Sequence, residues 1–168
     1  MSILKIDMNK KEVNKEAFPK NNLVGGRAMI DYLLTKYGSP SAHPLSPEAP
    51  LIAAPGLLAG TSAPQSGRMS FGGKSPLTGG IKEANSGGTA GDKLGRLGIR
   101  AIMVQGKSEQ WQVLKIDAEG AVLLPAEDIV GMENYPACEK LRERYGKDIS
   151  IIIIGPAGEM KLANSTIA

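Results

Sequence analysis

Short strands broken by glycine-rich turns, with a few helices among them, predict an α+β domain. Three observations carry the prediction. Apolar residues alternate or run together in short stretches, two segments place them three and four apart, and most of the 21 glycines and 11 prolines fall between these segments. At 168 residues the chain suits one domain with a core of its own.

Ile3 to Asp7 reads as a strand, with Met8-Asn9-Lys10-Lys11 as its turn. Arg27 to Tyr37 puts Met29, Ile30, Leu33, Leu34 and Tyr37 on one face and Gly38 just past its end, which predicts an amphipathic packing helix. Gly38 to Pro50 carries Pro40, Pro44, Pro47 and Pro50, so it is an ordered loop. Leu51 to Ala54 and Arg68 to Phe71 read as strands. Asn85 or Ser86 can cap a helix beginning near Gly87, with Leu94 and Leu97 inward and Gly98 as its stop. Ala101 to Gln105, Gln110 to Asp117 and Ala121 to Leu124 read as strands, the last two joined by an Ala118-Glu119-Gly120 turn. Pro136 opens a helix that places Cys138, Leu141 and Tyr145 on one side and ends at Gly146. The apolar run Ile149 to Ile154 predicts a strand covered on both faces.

Hydrophobic residues at 42% and charged residues at 22% exclude collagen, coiled coil and a wholly disordered chain. Aromatics at 4% and a net charge of only +3 argue against nucleic acid as a partner. No apolar run reaches the roughly 18 residues of a membrane span, and the first residues lack a signal-peptide core, so no membrane partner and a cytoplasmic location are expected. Cys138, the sole cysteine, permits no internal disulfide and cannot alone hold a cluster or a structural zinc; packing is its expected role. His43, the sole histidine, sits in a proline-rich loop with no partner for a triad.

Charge and glycine coincide in one stretch. Residues 56–98 hold Arg68, Lys74, Lys82, Lys93 and Arg96 against Glu83 and Asp92, together with twelve glycines. Bare backbone N–H groups beside a positive excess suit an anion, above all a phosphate. Tight turns with solvated lysines would give the same composition. A nucleotide P-loop fails because Arg68 stands where its first glycine belongs, and Pro76 follows Ser75 where its helix should start. Within the remaining segment, Gly87 and Gly88 expose N–H groups with no side chain over them, and Arg68 offers a fork of donors.

The motifs Gly60-Thr61-Ser62-Ala63-Pro64, Ser66-Gly67-Arg68, Lys74-Ser75-Pro76-Leu77-Thr78-Gly79, Ala84-Asn85-Ser86-Gly87-Gly88 and Leu97-Gly98-Ile99-Arg100-Ala101-Ile102 together resemble the N-terminal domain of tungsten-containing aldehyde:ferredoxin oxidoreductases. Leu23 to Arg27, Pro44 to Glu48 and Ile154 to Glu159 extend the likeness over nearly the whole of residues 1–168. The resemblance implies two β-sheets forming a base for a bis-pterin cofactor that holds tungsten, or in some members molybdenum. It implies that Arg68 contacts the pterin and lies between it and a [4Fe–4S] cluster. It further implies that the Asn85 backbone carbonyl helps hold a Mg²⁺ bridging the pterin phosphates and that Gly87 makes a backbone contact, with Ser86 and Gly88 beside it.

Family members are several times longer. Their Arg-Ala-Gly-Arg-Gly-Gly-type loop follows a segment like residues 162–168, and their cluster cysteines belong to later domains, so no [4Fe–4S] ligands are expected here. The implied function is the cofactor-binding part of an enzyme that oxidises aldehydes to carboxylic acids with ferredoxin as acceptor, inactive without its remaining catalytic domains or subunit. No catalytic residue is assigned to this chain. The alternative is a non-catalytic module that binds a pterin phosphate or another anion. Exposed apolar surface and self-association into a homo-oligomer are further expectations.

Overall fold

A computed structural model of the chain describes residues 1–162 and 165–168; Ala163 and Asn164, from the segment likened to family members above, lie outside the described residues. Six strands form one mixed sheet. These are β1 (Ser2–Asp7), β2 (Glu12–Ala17), β3 (Leu51–Pro55), β4 (Met69–Lys74), β5 (Ile81–Ser86) and β6 (Ile99–Gln105), in the order β2-β1-β6-β3-β4-β5. Only β1 and β6 run parallel; the other neighbours are antiparallel. A second, two-stranded sheet pairs β7 (Gln112–Ile116) with β8 (Ala121–Pro125). Helices α1 (Arg27–Tyr37), α2 (Ala90–Arg96), α3 (Asn134–Tyr145) and α4 (Gly155–Glu159) complete the fold. Short strands with a few helices are as the residue patterns predict, and two sheets are as the resemblance implies.

Helix α1 covers one face of the large sheet. Its Met29, Ile30, Leu33 and Leu34 bury against Ile3, Ile52, Ala54, Ala101 and Met103, each large apolar side chain contributing roughly 1.5–3 kcal/mol. The other face buries Leu4, Ile6, Met69, Ile99 and Ile102 against Leu94 of α2, with Leu114, Ile116, Ala121 and Leu123 of the β7–β8 hairpin alongside. Alternation along β1 sends Ile3 to one cluster and Leu4 and Ile6 mainly to the other, which defines the sheet register.

Four segments differ from the sequence reading. Asn85 and Ser86 do not cap a helix; they end β5, where Asn85 lies opposite Ser70 of β4, and α2 begins only at Ala90. Gly88, with φ of 117°, turns the chain between the two. Ile149 to Ile154 is not a strand: Ile152 and Ile154 are exposed, and Ile153 exchanges two backbone hydrogen bonds of 2.9 Å with Ala168. Strands β2 and β5 have polar sequences and escape an apolar count, because both are sheet edges with largely exposed residues. Helix α4 lies in what reads as a Gly-Pro-Ala-Gly turn.

Strand β6 carries a bulge that bears on the site. Ser2 pairs with Ile99 and Ile3 with Ala101, so Arg100 is the extra residue. Its side chain is buried and donates from Nη1 to the Leu57 carbonyl at 3.0 Å. That bond pins the loop after β3, on which α2 rests.

Candidate functional site

Helix α2 approaches its neighbours through glycine. Gly91 and Gly95 stand one turn apart on one face. A Cβ on Gly91 would run into the Gly67 backbone, and one on Gly95 into the Ala59 carbonyl and the Gly60 nitrogen. From the other side, a Cβ on Gly67 would come within 2.7 Å of the Gly88 carbonyl and 2.8 Å of Asp92 Oδ2. Asp92 Oδ1 accepts the Gly60 N–H at 3.1 Å. The segment 67–68 is thereby held against the 87–88 turn. Arg68, one residue before β4, ends up at the corner where β5 gives way to α2.

At that corner Arg68 donates from Nε to Asn85 Oδ1, and its Nη1 lies 3.6 Å from where a Gly87 Cβ would be. Among the described residues nothing stands within 4 Å of a Cβ position at Gly88. Arg68, Asn85, Gly87 and Gly88 are all exposed, and no carboxylate pairs with Arg68 among the described residues. Ser86 departs from this group. It alternates to the opposite face of β5 and lines, with Gly87, Gly88, Cys138, Arg142 and Ile152, a cleft of ≈ 250 Å³.

The positive excess of residues 56–98 does not converge on one point. Lys74 donates to the Pro40 and Ala42 carbonyls and so ties down the proline loop. Lys93 pairs with Asp148 at 2.7 Å. Within residues 56–98, Arg68 is the basic residue that the fold sets beside the bare Gly87–Gly88 backbone, and Arg142 of α3 lines the cleft on the other side of that turn. His43 lies exposed in its loop, its Nδ1 accepting the Leu45 N–H, and Cys138 is half-buried on α3.

Behind Arg68 runs a polar chain. Arg27, at the start of α1, donates from Nε to Glu83 Oε2 at 3.1 Å. Ser70 Oγ donates to Glu83 Oε1 at 2.6 Å, and Asn85 Nδ2 donates to Ser70 Oγ at 3.3 Å. Arg27, Ser70 and Glu83 are absent from the candidates read in the sequence. The available signal was the two-residue spacing of Glu83 and Asn85, which puts both on one face once residues 81–86 are recognised as a strand.

The Ser70 hydroxyl, followed by the Arg27 guanidinium, holds the Glu83 carboxyl below its ordinary value of 4.5. A depressed acid stabilises the fold above its unfolded pKa and loses that contribution as pH falls through the folded value. The wild-type chain should therefore lose stability relative to Glu83→Gln on acidification below about pH 4.5. Urea unfolding across that range checks it; parallel curves for the two chains would contradict it.

Among the described residues no three His, Cys, Asp or Glu side chains gather into a metal-holding group, and no helix is long and apolar enough to cross a membrane. At this corner the fold sets a bare glycine turn and one oriented guanidinium at a sheet edge. Residues 3–168 match the family model described as aldehyde ferredoxin oxidoreductase, N-terminal domain, and the chain belongs to that family. It is 41% identical over 154 residues to the tungsten-containing aldehyde ferredoxin oxidoreductase of Pyrococcus furiosus, covering 91% of this chain and 25% of the relative. The Thermococcus kodakarensis enzyme of the same name is 37% identical over 160 residues, with 93% and 26% covered. A solved structure, the active site complex BamBC of benzoyl coenzyme A reductase in complex with 1,5-dienoyl-CoA, superposes with a TM-score of 0.88 at 27% identity, over 94% of this chain and 25% of that one. The chain thus spans about a quarter of the length of the relatives it matches.

Proposed function

We propose that this chain is the cofactor-cradling part of a tungsten- or molybdenum-dependent oxidoreductase and that the corner of Arg68, Asn85, Gly87 and Gly88 holds a phosphate of its pterin cofactor. The residues fit such a group. Arg68 is an exposed cation with an oriented side chain, and the turn beside it has no side chain to obstruct a phosphate. The observation that carries the reading is the meeting of Arg68 with Asn85, 17 residues further along the chain, and with the neighbouring Gly87 at one corner.

When bound, the metal-pterin group supplies two-electron oxidation of an aldehyde to a carboxylic acid, with ferredoxin as electron acceptor through a [4Fe–4S] cluster in the complete enzyme. The residues of this chain bind and orient. Arg68 would neutralise phosphate charge and fix its position, the Gly87–Gly88 backbone would permit close approach, and the Asn85 backbone carbonyl would supply an oxygen ligand to a Mg²⁺. The reading places substrate oxidation in partner domains or a partner subunit, consistent with the quarter share of length. Ser86, on the reverse side of the turn, donates from its hydroxyl to the Gly87 carbonyl at 3.3 Å and so steadies the turn. Titrating the chain with inorganic pyrophosphate and Mg²⁺ in a calorimeter at low ionic strength tests this. One saturable site weakened by added salt is expected, and the absence of saturable binding would overturn it.

A further inference from the structure

The Arg27–Glu83–Ser70–Asn85–Arg68 chain has a direction, and the direction follows from donor and acceptor chemistry. An ionised carboxylate only accepts hydrogen bonds, so Glu83, held by Arg27, obliges the Ser70 hydroxyl to point its hydrogen at Oε1. Ser70 is 2% exposed, and its hydroxyl then has only lone pairs left to offer. Asn85 must meet it with its NH₂ group, which turns the amide oxygen toward Arg68. An arginine has two forks for an anion, one from Nε with a terminal nitrogen and one from the two terminal nitrogens. With Nε–H committed to Asn85, only the end-on pair remains, and Nη1 already lies toward Gly87.

We propose that Ser70 and Glu83 are positioning residues: they set the orientation of the Asn85 amide and so present the end-on fork of Arg68 to a phosphate at the Gly87–Gly88 turn. The proposal rests on the reading of that corner as a phosphate site. Neither residue touches the phosphate. Ser70→Ala removes the acceptor that fixes the amide. Glu83→Gln lets the new amide NH₂ donate to Ser70, which frees the Ser70 hydrogen for Asn85 and allows the Asn85 amide to reverse, bringing its NH₂ against the guanidinium.

Two readouts separate positioning from mere stability. In ¹⁵N-correlated spectra of the wild-type chain, the Arg68 Nε–H should give its own signal with exchange slower than that of other exposed arginines. That signal should be lost in Ser70→Ala and Glu83→Gln and retained in Ser70→Thr, which keeps the hydroxyl. A wild-type Arg68 signal indistinguishable from that of a free arginine would overturn the proposal without any variant. Pyrophosphate binding should weaken about three- to tenfold in Ser70→Ala and Glu83→Gln and return in Ser70→Thr. If Arg68→Ala weakens binding while Ser70→Ala and Glu83→Gln match wild type, the positioning role fails and the phosphate site stands. If Arg68→Ala itself leaves binding unchanged, the phosphate reading fails, and the positioning role with it.

Discussion

Replacing Arg68 with alanine is expected to weaken pyrophosphate binding by about 2 kcal/mol, roughly thirtyfold in Kd, with little change in stability. The magnitude is that of a charge-assisted hydrogen-bonding pair lost from an exposed corner. Stability should hold because Arg68 is exposed and, among the described residues, makes its one side-chain bond to Asn85, itself exposed. Arg68→Lys should recover only part of the affinity, since an ammonium supplies charge without the planar fork that Asn85 orients. Calorimetric titration of the three chains at one ionic strength measures the effect. Equal affinities would remove Arg68 from the site.

The largest loss of stability should come from Gly95→Val. A Cβ there meets the Ala59 carbonyl group and the Gly60 nitrogen, all backbone atoms that cannot rotate away. Overpacking of this kind costs about 3 kcal/mol. Helix α2 would have to lift from the 56–60 loop, and the Gly88 turn and the Gly67–Arg68 segment would move with it. The variant should therefore lose anion binding as well as stability. Gly98→Ala makes the comparison, because among the described residues its Cβ would meet nothing within 4 Å and its φ of 71° is what resists an alanine; roughly 1–2 kcal/mol is expected. Denaturant unfolding of both variants, with pyrophosphate titration of the folded fraction, checks the difference. Equal stabilities would refute the close-packing account of α2.

What could be read from the residues depended on whether local pattern and final environment agreed. Helix α1 was legible because its apolar face repeats every three to four residues and buries Met29, Ile30, Leu33 and Leu34, with Tyr37 partly covered beside them. Charge and glycine direct attention to Arg68, Asn85 and Gly87, and the fold brings these three together. The capping role given to Asn85 and Ser86 was wrong because cap-forming residues also end edge strands, and the pairing of Asn85 with Ser70 is set by strand β4, fifteen residues earlier in the chain. Ser70 and Glu83 were hidden for the same reason, since their relation exists only across the β4–β5 ladder. The run Ile149 to Ile154 misled in the opposite sense: its apolarity predicts cover on both faces, yet Ile152 and Ile154 stand exposed. Its backbone pairs at Ile153 with Ala168 and joins neither sheet.

The central claim is that this chain holds a metal-pterin cofactor through its phosphates. The most direct measurement isolates the tagged chain anaerobically from its native cell and quantifies tungsten, molybdenum and pterin per chain, beside an Arg68→Ala counterpart expressed in the same way. Near-stoichiometric metal and pterin, with a larger polypeptide co-purifying and both metal and pterin reduced in the counterpart, is the predicted result. Wild-type chain that carries the partner polypeptide but neither metal nor pterin would contradict the claim.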